Sequence, residues 1–94
     1  MLMERLEILV SGRVQGVSFR AFTAKKAREL NLVGWVTNLP DGRVKIVAQG
    51  EKDSLQELLE LVKLGPPLAK VSKVNSKWSH ALESFDDFSV RYDV

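Results

Sequence analysis

Hydrophobic residues recur along this chain with two different periods, and the order in which those periods alternate constrains the fold more than any other feature. Arg5-Leu6-Glu7-Ile8-Leu9-Val10-Ser11 alternates polar and apolar, the pattern of a strand with one buried face. From Arg20 to about Leu30 the composition is helix-forming. Phe19, Thr23, Ala27 and Leu30 fall on one side, with Lys25, Lys26 and Glu29 mostly outward. Val33 to Asn38 reads as a strand. Asp41-Gly42, preceded by Pro40, predicts a hairpin turn, and Arg43 to Gln49 predicts the return strand, with Val44, Ile46 and Ala48 on one face and Gly50 at its end. Leu55, Leu58, Leu59 and Val62 have the spacing of one helical face; Asp53 or Ser54 caps this second helix, and Gly65-Pro66-Pro67 stops it. Lys70 to Trp78 alternates again, Val74, Ser76 and Trp78 against Lys73, Asn75 and Lys77. Phe88-Ser89-Val90-Arg91-Tyr92 predicts a short last strand.

The order is strand, helix, strand, strand, helix, strand, strand. Alternating strands mean one sheet face is buried and the other largely wet. An α+β ferredoxin-like sandwich satisfies this order. It has a mainly antiparallel sheet of four to five strands with two helices on one face, βαββαβ plus a short C-terminal strand. A chain of 94 residues has enough surface to bury for one core and not two, so residues 1–94 are expected to form a single domain. Apolar runs such as Ile8-Leu9-Val10 are far too short to span a membrane or form a signal-peptide core, and a cytoplasmic address follows by default.

Between the first strand and the first helix lies Gly12-Arg13-Val14-Gln15-Gly16-Val17-Ser18-Phe19-Arg20. Glycines let the backbone bend so that successive N–H groups face one concavity. The helix start adds unpaired donors and the positive end of its dipole. Arg20 adds a planar fork of donors matched to phosphate or carboxylate. A cation in a first helical turn opposes the dipole, so its placement calls for an anion beside it. The segment reads as an oxyanion cradle with phosphate as its best-fitting guest. Asn38 ends the second strand just before the turn. Brought near the cradle, its amide would offer an acceptor and a donor to one molecule, which suits holding a water rather than removing its proton.

Two segments together resemble the signatures of the acylphosphatase family: Gly12-x-Val14-Gln15-Gly16-Val17-x-Phe19-Arg20, and Gly34-Trp35-Val36-x-Asn38-x-x-Asp41-Gly42-x-Val44 with Gly50 closing the second block. Length, helix order and the final strand are similar too. The resemblance implies hydrolysis of the carboxyl–phosphate bond of a small acyl phosphate to carboxylate and orthophosphate, with no metal, no cofactor and no covalent intermediate. By the same resemblance Arg20 binds the phosphoryl group together with the loop amides of about Gln15, Gly16, Val17, Ser18 and Phe19, and Asn38 orients the attacking water. Three positions depart from or vary within the family pattern. Thr37 replaces a basic or other long side chain and is expected to alter substrate-tail contacts or solubility. Asn31 replaces a glycine and still allows the left-handed conformation that ends a helix. Ser18 either adds a donor to the cradle or caps the helix.

Other residues read as ordinary surface or core. The chain has no cysteine, which excludes thiolate nucleophiles, disulfides and cysteine–zinc sites. His80 is a solvated loop residue. Glu83, Asp86 and Asp87 lack ligand-type spacing and form an acidic turn. Lys70, Lys73 and Lys77 shield a sheet edge, and Trp35 and Trp78 belong to the core or a sheet face. The net charge of +2 comes from 14 basic and 12 acidic residues, a near-balance that gives no footprint for nucleic acid. The Arg43-to-Ala48 strand carries no aromatic on which RNA bases could stack. With no long apolar stripe left over, a monomer is expected. A non-catalytic module binding a phosphorylated anion is the alternative, and phosphate binding without turnover would mark it.

Overall fold

The computed structural model describes residues 3–81 and 83–92. Its elements are β1 (Glu4–Arg13), α1 (Phe19–Glu29), β2 (Val33–Asn38), β3 (Val44–Gly50), α2 (Lys52–Leu64), β4 (Lys70–His80) and β5 (Phe88–Arg91). The strands form one sheet in the order β4-β1-β3-β2-β5. Every neighbouring pair is antiparallel except β2 with β5, which is parallel. Both helices pack on one face. Leu6, Ile8 and Val10 of β1, Val44, Ile46 and Ala48 of β3, and Val36 of β2 meet Phe19, Ala24 and Ala27 of α1 and Leu55, Leu58, Leu59 and Val62 of α2 in one core. This is the ferredoxin-like α+β sandwich that the order of periods predicts.

The helix ends differ in chemistry. At the end of α1, Asn31 adopts the left-handed conformation with φ 60°. Its N–H donates to the Arg28 carbonyl at 3.1 Å and the Leu32 N–H donates to that of Ala27 at 2.9 Å. That pair of bonds satisfies carbonyls the helix would otherwise leave unpaired, so the helix stop survives without glycine. At the start of α2 neither Asp53 nor Ser54 caps. The N-cap is Glu51, extended and without a side-chain cap bond, and Asp53 sits inside the first turn, where its charge complements the dipole. The sequence-based choice favoured the better cap formers over the position where the backbone actually turns.

The alternation expected along β4 is interrupted. Ser11 pairs with Lys73 but Gly12 pairs with Val71, so Ser72 is the extra residue of a bulge. Val71 and Val74 therefore both pack toward the core, and Ser76, opposite Ile8, keeps the expected face but is exposed on the edge strand. Gly12 is what permits the bulge: its φ is 121°, and a Cβ there would collide with the Lys70 carbonyl oxygen and the Ser72 amide nitrogen. The bulge bends the sheet where β1 runs into the loop before α1. As expected, β4 is an edge strand and its lysines are exposed. Among the described residues, no helix is long and apolar enough to cross a membrane.

Candidate active site

Residues 14–18 connect β1 to α1. Val14, Val17 and Phe19 are buried at 6% exposure or less, while Gly16 and Ser18 face solvent. These three side chains anchor the loop in the core. Gly16 has φ 73° and Ser18 φ 65°, both left-handed. For serine this conformation is strained by about 1–2 kcal/mol. Ser18 is the N-cap of α1 by position only, since its side chain makes no cap hydrogen bond; of the two roles open to it, capping is not the one adopted. The first helical bond runs from the Phe22 N–H to the Ser18 carbonyl at 3.0 Å. No acceptor among the described residues takes the N–H groups of residues 15–21. A run of unpaired amides on a left-handed turn at a helix start is an anion-binding concavity.

A pocket of about 320 Å³ opens at this point, and Gly16, Ser18, Phe19, Arg20, Asn38 and Tyr92 line it. The structure therefore brings Arg20 and Asn38, 18 positions apart in the chain, to one cavity. Gln15 and Val17, also assigned to the cradle, do not line it: Val17 points into the core, and Gln15 points toward the β2–β3 turn. Arg20 lies in the first turn of α1, where no acidic residue accompanies it, and no carboxylate among the described residues pairs with it. Its charge and the positive end of the helix dipole act at the cavity together. The Asn38 Oδ1 is buried without a hydrogen-bond partner. The Oε1 of Gln49 is unpartnered too; what sets Asn38 apart is that it also lines the cavity.

Three contacts around the cavity lie outside the sequence reading. The Gln15 Nε2 donates to the carbonyls of Leu39 at 2.8 Å and Arg43 at 2.9 Å. This one side chain ties the cradle to the two ends of the turn that follows Asn38. Tyr92 lies against Arg20, with the guanidinium carbon 4.6 Å from the ring centre. Alternation in the last strand was the available signal: Phe88, Val90 and Tyr92 share one face, and Val90 and Tyr92 both line the pocket. Thr37 is the third. It is 2% exposed, and its hydroxyl donates to the Arg91 carbonyl at 3.0 Å. Thr37 itself is thus spent on bonding to β5 and offers no exposed surface to a substrate. The turn itself is closed by Asp41, which accepts from the Arg43 backbone N–H at 3.1 Å and from its guanidinium at 2.8 Å. The backbone bond, followed by the guanidinium, holds the Asp41 carboxyl below its ordinary range.

Elsewhere the bland readings stand. His80 is exposed. Glu83 pairs with Arg5 at 3.3 Å. Trp35 lies on the outer sheet face between Lys45 and Arg91, and Trp78 packs against the core.

Comparison with known proteins agrees with the residues. The acylphosphatase family model matches residues 6–90. An acylphosphatase of Methylococcus capsulatus is 49% identical over 92 residues, covering 98% of this chain and 100% of its own. One from Archaeoglobus fulgidus is 54% identical over 87 residues, covering 93% and 97%. The crystal structure of acylphosphatase from Bacillus subtilis superposes with a TM-score of 0.92 at 44% identity, covering 95% of this chain and 99% of that one.

Proposed function

The chain belongs to the acylphosphatase family, and from that premise we propose how its residues carry the hydrolysis of an acyl phosphate. The phosphoryl group sits in the cradle, its oxygens taking the unpaired amides of residues 15–19 and the guanidinium of Arg20. Asn38 holds the attacking water opposite the leaving carboxylate. What supports this is one convergence: Gly16, Ser18 and Phe19 with unpaired amides, Arg20 without a carboxylate, and Asn38 line the same cavity.

The chemistry asks for little more. An acyl phosphate is a mixed anhydride, so the group that leaves is a carboxylate. Its conjugate acid has a pKa of about 4, and it departs without a general acid. Phosphoryl transfer passes through a loose transition state whose charge is spread over the equatorial oxygens. Fixed donors that meet that charge, and a water already in line, supply the main catalytic terms. A phosphate monoester leaves as a poor alkoxide, for which the site provides no proton, so monoesterase activity is negligible. The acyl tail extends past the rim of the cavity, and the enzyme acts as a cytoplasmic monomer.

The test is phosphate release from benzoyl phosphate by wild type, Arg20→Ala and Asn38→Ala, with and without excess chelator. Loss of turnover in both variants, with full wild-type activity in chelator, is expected. Persistent hydrolysis by Asn38→Ala, or comparable turnover of an alkyl phosphate, would overturn the assignment. Phosphate binding by wild type without turnover would favour a non-catalytic anion-binding module.

A further inference from the structure

We infer that Tyr92 is a positioning residue for Arg20, and that the last strand is built to present it; this rests on Arg20 being the phosphoryl ligand. Tyr92 is 76% exposed. Burial therefore does not explain where it lies, and its notable neighbour is the Arg20 guanidinium, 4.6 Å from the ring centre. An aromatic face attracts a guanidinium through its quadrupole. A carboxylate would attract it too, but by occupying the N–H fork that a phosphoryl group needs. The ring restrains a long, flexible side chain while leaving those donors and the positive charge available.

The backbone that carries Tyr92 is fixed on several sides. Both Nε and Nη2 of Arg28 donate to the Phe88 carbonyl, at 3.1 and 2.8 Å, tying the start of β5 to α1. At the other end, the Thr37 hydroxyl donates to the Arg91 carbonyl at 3.0 Å. That oxygen belongs to the peptide unit joining Arg91 to Tyr92, so the bond sets the plane from which Tyr92 departs. The Arg91 side chain goes to the opposite sheet face, its guanidinium carbon 4.6 Å from the Trp35 ring centre. Consecutive residues thus make cation–aromatic contacts on opposite faces, with the roles of cation and ring exchanged. Thr37 and Asn38 are neighbours on β2, so one strand end presents the carboxamide to the cavity and anchors the strand that steadies the arginine.

The experiment compares Tyr92→Phe, Tyr92→Leu and Thr37→Val with wild type. It reads the inhibition constant of inorganic phosphate, KM and kcat for benzoyl phosphate, and the thermal midpoint. Tyr92→Phe keeps the π face and is expected to match wild type. Tyr92→Leu keeps an apolar side chain and is expected to weaken phosphate binding and raise KM roughly two- to fivefold, the range of an exposed cation–aromatic contact. Its thermal midpoint should not fall in proportion. Thr37→Val should weaken phosphate binding alone, yet add nothing in the Tyr92→Leu background or in Arg20→Ala. Equal phosphate affinity for Tyr92→Leu and Tyr92→Phe would overturn the inference, as would a Thr37→Val effect that persists without the tyrosine. If Arg20→Ala itself leaves phosphate affinity unchanged, the underlying site assignment fails; if only the Tyr92 variants are silent, that assignment stands and this inference alone falls.

Discussion

Replacing Asn38 with alanine should separate stability from activity in opposite directions. The Oδ1 of Asn38 is buried with no partner, and a buried acceptor left unpaired costs about 1–3 kcal/mol. Truncation removes that cost. It also forfeits the packing of the removed atoms, about 1 kcal/mol for an average substitution. The net runs from neutral to about 2 kcal/mol in favour of the variant, whereas most substitutions destabilise. In a domain of this size each kcal/mol moves the thermal midpoint by about 4–8 °C. Turnover should move the other way. Loss of one preorganised polar group that acts on the reacting atoms typically lowers kcat by about 10²–10³. Urea and thermal unfolding followed by circular dichroism give the first quantity, and phosphate release from benzoyl phosphate gives the second. A variant destabilised by more than about 1 kcal/mol that keeps most of its activity would refute the reasoning. Asn38 would then be an ordinary structural residue at a strand end.

Three further outcomes follow from the cradle and the turn beside it. Ser18→Gly should be neutral or up to about 1 kcal/mol stabilising, since it relieves the left-handed strain at φ 65°, while Ser18→Val should lose more than about 1 kcal/mol; urea midpoints of the pair decide. Gln15→Leu removes two hydrogen bonds, but each acceptor keeps another donor, Gly42 N–H for Leu39 and Leu39 N–H for Arg43. The loss should therefore stay at about 1–3 kcal/mol, with kcat falling more than phosphate affinity because the turn after Asn38 is released; equal loss of both would count against the bridge. The Asp41 carboxyl is held below its ordinary range, so its contribution is present above that range and vanishes as pH falls through the lowered value. The stability gap between wild type and Asp41→Asn should close on acidification, and a gap that widens in acid would contradict this sign.

How much was legible depended on how local each cause is. Leu55, Leu58, Leu59 and Val62 fix α2 through their own spacing, and Asp41-Gly42 fixes the hairpin through its own chemistry. The loop that lines the cavity was legible for the same reason, because Gly16, the helix start and Arg20 lie within five residues of one another. Asn31 was read correctly because left-handed tolerance is a property of one residue. Three of the misses involve a partner distant in sequence. Ser72 becomes a bulge only because Gly12 lies opposite it. Thr37 is buried because β5 pairs alongside β2. Gln15 reads as a loop polar residue until the turn carbonyls 24 and 28 positions away are in place. Glu51 is a poor cap former on its own, and the path from β3 into α2 selects it nonetheless.

The most direct test of the site is a titration of inorganic phosphate into ¹⁵N-labelled wild type and Arg20→Ala, followed amide by amide. The account predicts saturable shifts concentrated at residues 15–20 in wild type, and affinity weakened roughly tenfold or more without the guanidinium. Shifts centred elsewhere on the molecule, or an affinity that the Arg20 substitution leaves unchanged, would contradict it.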